Sequence, residues 1–237
     1  MLARAMTPFH GKLVLITGAT GGLGSWVTQA FLDAGATVAG VSRSIRDSDF
    51  PGPRFHAIPA ELSTGDAARA AVEETLRRLE RIDALVHLVG GFAGGTSVAE
   101  TSDETFDRMM DLNLRSAFFT TRAVVPHMRE RGSGRLLAIG SRAAVDPRAG
   151  LCAYNASKAA LVALMRTLAF ENKDRDITSN VILPGAMDTP QNRAAQPAAD
   201  HSRWVPPSRV ADLLVWLASP EAASVNGAVI PMYGAEL

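Results

Sequence analysis

Cysteine is nearly absent: Cys152 is the only one in 237 residues. One thiol closes no internal disulfide, so the fold is not expected to depend on an oxidising compartment. An excess of charge is missing too, with Lys plus Arg at 24 and Asp plus Glu at 24. No broad field would therefore draw in nucleic acid or an anionic membrane surface. No apolar run approaches the roughly 18 residues that span a bilayer, and the first eleven residues lack a charged start followed by an apolar stretch. These absences predict a cytoplasmic protein with no membrane or nucleic-acid partner and no metal, and they favour a small molecule as its substrate.

What is present is an ordinary globular mixture, 47% apolar and 20% charged, long enough to bury one sizeable core. Short β-branched apolar runs alternate with stretches of helical period. Strands are read at 12–17, 36–42, 54–58, 83–89, 135–140, 177–183 and 227–231, and helices at 22–34, 65–80, 103–131, 154–171 and 207–218. The long helical stretch is expected to bend or break near Pro126. No repeat or linker interrupts the pattern. The expectation is a single α/β domain over 1–237: a Rossmann-like, doubly wound, seven-stranded, mostly parallel sheet with helices on both faces. Residues 184–206 carry prolines and little periodicity, and loops of that length are usually binding loops, so a mobile substrate lid is expected there.

Directly after the first strand, and opening the first helix, stands Thr17-Gly-Ala-Thr-Gly-Gly-Leu-Gly24. Gly18 would permit a sharp turn, Gly22 would let the backbone approach a pyrophosphate, and Gly24 would allow close packing. Free amides at a helix start favour an anion there. Such a turn is a dinucleotide cradle, although glycines also serve turns that bind nothing. At the end of the second strand, where an acidic residue would hold the ribose of NAD, the chain reads Ser42-Arg43-Ser44. The forked guanidinium of Arg43 suits a 2′-phosphate, which predicts NADPH over NADH. The plainer alternative is a solvated loop charge.

Tyr154 and Lys158 are four residues apart in a strongly helical segment, so they share one helix face. The lysine ammonium is expected to lower the tyrosine pKa towards a useful range. Ser141 ends the fifth strand, where its hydroxyl could bond a developing oxyanion. A tyrosine and lysine so spaced are, by themselves, more often a surface pair.

In order and spacing, the Thr17–Gly24 turn, Asn113, Ser141, Tyr154 and Lys158 resemble the short-chain dehydrogenase/reductase family. The resemblance implies an oxidoreductase that moves hydride between nicotinamide and a carbonyl carbon. Tyr154 would supply the proton, Lys158 would also hold the nicotinamide ribose, and Asn113 would support a water chain to the lysine. It further implies cofactor contacts from Thr20 and Leu23 in the turn, Glu61 and Leu62 beside the adenine, Gly90 and Gly91, and Pro184, Gly185, Met187 and Thr189 near the carboxamide. Phe92 and Trp204 are expected to line the substrate pocket with the lid. The family's Asn-Asn-Ala-Gly is replaced by His87-Leu-Val-Gly90, where His87 is expected to be a buried, hydrogen-bonded residue, and the C-terminal Val-Asp-Gly-Gly by Met232-Tyr-Gly-Ala235. Cys152 is expected to be a small buried filler.

Three loops also resemble dihydropteridine reductases, though Ser141 and Arg43 depart from that branch. The expected substrate is a small ketone or ketoacyl carbonyl. A quinonoid pterin is the alternative, and a non-catalytic NADP-sensing regulator a further one. The 154–171 helix is apolar nearly all round, which predicts a homodimer or homotetramer.

Overall fold

The computed structural model describes residues 9–235; the first eight, part of the stretch read for a leader, lie outside them. The strands are β1 Leu13–Thr17, β2 Thr37–Ser42, β3 Phe55–Pro59, β4 Ala84–His87, β5 Ser133–Ile139, β6 Asp176–Pro184 and β7 Val229–Met232. They pair in parallel throughout, in the order β3-β2-β1-β4-β5-β6-β7. The helices are α1 Gly24–Asp33, α2 Gly65–Leu79, α3 Asp103–Met110, α4 Ser116–Arg131, α5 Cys152–Glu171, α6 Pro190–Ala195 and α7 Pro207–Ala218.

Side chains alternate across each strand, and here both sets are apolar, as a parallel sheet covered on both faces requires. Val14, Ile16, Val38, Val86, Leu137 and Ile182 face α1 and α7. Leu13, Leu15, Val41, Leu85 and Leu136 face α2, α4 and α5. Phe31 of α1 is fully buried with its ring edge-on to Phe9 at 5.3 Å; truncating it to alanine would cost about 3–5 kcal/mol. Chain order reverses about β1, with β2 on one side and β4 on the other. The carboxyl ends of those strands are therefore the switch point at which sheets of this kind bind ligands.

Two elements differ from expectation. The 103–131 helix is interrupted by one π-helical turn, Asp111–Arg115, rather than at Pro126, which α4 accommodates. The cause is tertiary: the turn carries Asn113, whose side chain is bonded to two other parts of the chain. Residues 184–206 are also more regular than their weak periodicity predicts. Thr189 Oγ1 accepts from Asn192 N at 3.2 Å and so caps α6. Met187 and Val205 form a bridge, with Asp188 N donating to Val205 O at 2.9 Å and Val205 N to Ala186 O at 2.8 Å. The far foot is fastened to the end of the chain: Arg203 Nη2 donates to Ala235 O at 2.7 Å, and Ala235 N to Arg203 O at 3.2 Å. Among the described residues no helix is long and apolar enough to cross a membrane.

Candidate active site

Thr17 ends β1 and the chain turns at Gly18, whose φ is +71°. A Cβ there would lie 3.2 Å from the backbone of Leu88 and Val89. At Gly24 a Cβ would lie 2.0 Å from the Gly18 carbonyl oxygen, so α1 starts hard against the turn. Leu23 caps α1 without a side-chain hydrogen bond, while Thr20, Gly21 and Gly22 are exposed. Thr20 N donates to Ser42 Oγ at 3.3 Å, joining the turn to the end of β2, where Arg43 is exposed. A Cβ on Gly22 would come within 3.3 Å of Thr189 Cβ, so a side chain would close the gap between turn and loop. An exposed glycine turn at a helix start without a side-chain cap fits a pyrophosphate. Glu61 is exposed and Leu62 buried in the second core cluster; Pro184 is buried, and Gly185 and Met187 half-buried.

Beside this cradle α5 presents Tyr154 and, one turn on, Lys158. Tyr154 is half-buried and hydrogen-bonded to the Ser141 side chain. Lys158 is buried and its Nζ donates to Ile139 O at 2.9 Å. Burial holds that ammonium down at about 8, against an ordinary 10.5. At Tyr154 the expected lowering by the lysine is not found. Burial raises the phenol above its ordinary 10.0, and the Ser141 hydrogen bond opposes this in part.

Asn113 is fully buried and does two jobs. It grips Gly91 from both sides, accepting from Gly91 N at 2.9 Å and donating to Gly91 O at 3.0 Å. Its amide also donates to Ser157 Oγ at 3.0 Å, and Ser157 in turn donates to Tyr154 O at 2.9 Å. Gly90 sits in the gap: a Cβ there would lie 2.9 Å from Asn113 Oδ1 and 3.3 Å from Lys158 Nζ. Ser157 was missed at the level of sequence, because a serine between two recognisable residues gives no signal of its own.

His87 ends β4, buried, with Nδ1 3.0 Å from Thr17 Oγ1 and Nε2 3.2 Å from Ser116 Oγ. Burial, then the nearby Lys158 charge, push it down to about 3, so the imidazole is neutral at ordinary pH. Phe92 is 66% exposed, and its ring meets Tyr154 edge-on at 5.0 Å. Trp204 is buried, its ring against His201 at 4.4 Å. Arg142 lies over the Tyr233 ring at 5.0 Å. Cys152 is only partly buried, its Sγ 3.2 Å from Thr101 Oγ1; it is the first residue of α5, not a filler of the core.

A glycine turn at the switch point of a doubly wound sheet, with a phenol and a buried ammonium one turn apart on a helix of the same domain, defines a class of enzymes that use a dinucleotide to oxidise or reduce a carbon centre. Comparison with known proteins is specific. The sequence profile described as short chain dehydrogenase matches residues 12–200. A cyclic-di-GMP-binding biofilm dispersal mediator protein of Escherichia coli is 34% identical over 97% of this chain and 99% of its own. The 3-oxoacyl-[acyl-carrier-protein] reductase of Thermotoga maritima is 29% identical over 95% of this chain and 97% of its own. The crystal structure of a 3-ketoacyl-(acyl-carrier-protein) reductase from Brucella melitensis, complexed with NADH, superposes with a TM-score of 0.85 at 29% identity, over 95% of this chain and 98% of that one. The chain belongs to the short-chain dehydrogenase family. It is an NAD(P)-dependent oxidoreductase acting on CH–OH or C=O groups.

Proposed function

We propose that this protein reduces a small ketone or ketoacyl carbonyl with NADPH in preference to NADH, as a cytoplasmic homo-oligomer whose single domain spans the chain. The observation that carries the reading is the Tyr154–Ser141 hydrogen bond beside a buried Lys158. In this reading Gly18 to Gly24, with Thr20, Gly22 and Leu23, hold the pyrophosphate, and Arg43 with Ser42 holds the 2′-phosphate. Glu61 and Leu62 flank the adenine, Gly90 and Gly91 border the nicotinamide ribose with Lys158, and Pro184 to Thr189 meet the carboxamide. The bound nicotinamide supplies a hydride to the carbonyl carbon. Tyr154 donates its phenolic proton to the carbonyl oxygen, and Ser141 donates a hydrogen bond to the same oxygen. Asn113 holds Gly91 and Ser157 in place, Phe92 flanks the substrate, and residues 184–206 cover it as a lid with Trp204 anchoring its far end.

The names of the Thermotoga and Brucella proteins favour a ketoacyl substrate. The name of the Escherichia coli relative favours a second reading, in which the chain binds a nucleotide and regulates. The test is NADPH and NADH oxidation with a panel of ketones, ketoacyl thioesters and quinonoid dihydropterin. Reduction by NADPH with a ketone or thioester is expected, and Tyr154→Phe should lower kcat by roughly 10²–10⁴-fold. Arg43→Ala should raise KM for NADPH about tenfold and leave NADH almost unchanged. Equal use of NADH overturns the cofactor preference, and unchanged turnover in Tyr154→Phe overturns the catalytic reading in favour of regulation.

A further inference from the structure

The buried imidazole of His87 is bonded at both nitrogens, to Thr17 at the start of the glycine turn and to Ser116 at the start of α4. We infer that His87 is a positioning residue: a neutral Nε2–H tautomer that ties the end of β1 to the start of α4 and so fixes the π-helical turn on which Asn113 stands. The inference rests on the proposed roles of Asn113 and Lys158.

The hydrogen-bond chain has a defined direction. Ser116 Oγ donates to Leu112 O at 2.7 Å, which uses the hydroxyl proton and leaves the oxygen to accept. Its neighbour His87 Nε2, at 3.2 Å, is then the donor. A neutral imidazole with its proton on Nε2 offers Nδ1 as an acceptor, and Thr17 Oγ1 donates to it at 3.0 Å. Thr17 Oγ1 in turn accepts from Leu88 N at 3.2 Å. Every polar atom from Leu88 N to Leu112 O is thereby satisfied, as a fully buried chain requires. The charged group facing the ring is Lys158, and its sign opposes an imidazolium.

Position gives the chain its consequence. Thr17 is the residue before Gly18, and it pairs with His87 in the sheet register. Ser116 is the first residue of α4, directly after the π-helical turn, and Leu112 is the residue before Asn113. The clearance that this bridge maintains is small, since a single Cβ at Gly90 would press on both Asn113 Oδ1 and Lys158 Nζ. A shift of α4 by a few tenths of an ångström would change how Asn113 grips Gly91 and Ser157.

Two measurements test this. In the wild-type protein, ¹⁵N-edited imidazole spectra should show the His87 proton on Nε2 and Nδ1 unprotonated at neutral pH. A proton on Nδ1, or a doubly protonated ring, overturns the inference without reference to turnover. Kinetically, the amide nitrogen of His87→Gln reaches the place of Nε2, whereas His87→Asn reaches only that of Nδ1. His87→Asn and Ser116→Ala should lose about tenfold in kcat with KM for cofactor and carbonyl within about twofold, and His87→Gln and Ser116→Thr should recover most of it. Equal losses in His87→Asn and His87→Gln that track melting temperature, or wild-type kcat in His87→Asn, overturn the positioning role. A wild type that reduces no carbonyl would instead overturn the proposed function, and the spectra would still decide the tautomer.

Discussion

At Lys158 and Tyr154 two titrating groups one helical turn apart are driven in opposite directions by the same cause. Burial favours the uncharged form of each, so the ammonium falls to about 8 and the phenol rises above 10.0. Between those values the phenol keeps its proton while the lysine loses its charge. Reductive kcat/KM should therefore hold through neutrality and fall as pH rises past about 8, and Lys158→Arg should abolish that limb while lowering the rate. A falling limb that stays near 8 in Lys158→Arg would assign it to another group. The linkage to stability runs the opposite way: the folded-state pKa is depressed, so Lys158 destabilises the fold progressively as pH drops from 10.5 through about 8. The pairing of these residues was legible in the sequence, because a spacing of four on a helix leaves little choice of face. Their acidities were not, since they depend on how deeply each is buried and on the Ile139 carbonyl that binds Lys158 from another element.

Among the elements, the start of α1 is the least tolerant. A Cβ on Gly24 would meet backbone atoms of Gly18 and Ala19 at 2.0–2.8 Å, and backbone cannot swing aside as a side-chain tip can. Gly24→Ala should displace α1 from the turn, weaken NADPH binding at least tenfold and destabilise the fold by about 1–3 kcal/mol. Gly132→Ala is the control: it ends α4 at φ +74° with open space around it, so it should cost about 1 kcal/mol and leave cofactor affinity alone. Fluorescence titration and thermal melting check both. Strands and most helices were readable because their apolar periods are strong. The π-helical turn was not, because Asn113 is drawn into it by Gly91 and Ser157, contacts between segments that no local pattern records. The regularity within 184–206 was hidden likewise: α6 is only six residues long and is held by its cap.

For the whole molecule, one face of α5 has no cover among the described residues. Ala159, Ala163 and Phe170 are exposed along it, Phe170 by 62%, and Phe118 of α4 is 41% exposed. A second copy would bury this surface, and the double variant Ala163→Glu/Phe170→Glu should give a monomer by light scattering at micromolar concentration where the wild type does not. A monomeric wild type would refute the assembly. The sheet order, with its reversal about β1, follows from the alternation of strand and helix only once the right-handed crossover is granted.

The two bonds between Arg203 and Ala235 give the end of the chain a task remote from the sheet it follows. They make the loop's far foot only as firm as the seat of Ala235. A protease nick just after Tyr233 would cut a mooring line, and a bulky fusion joined there would tug on the segment that reaches the glycine turn through Thr189.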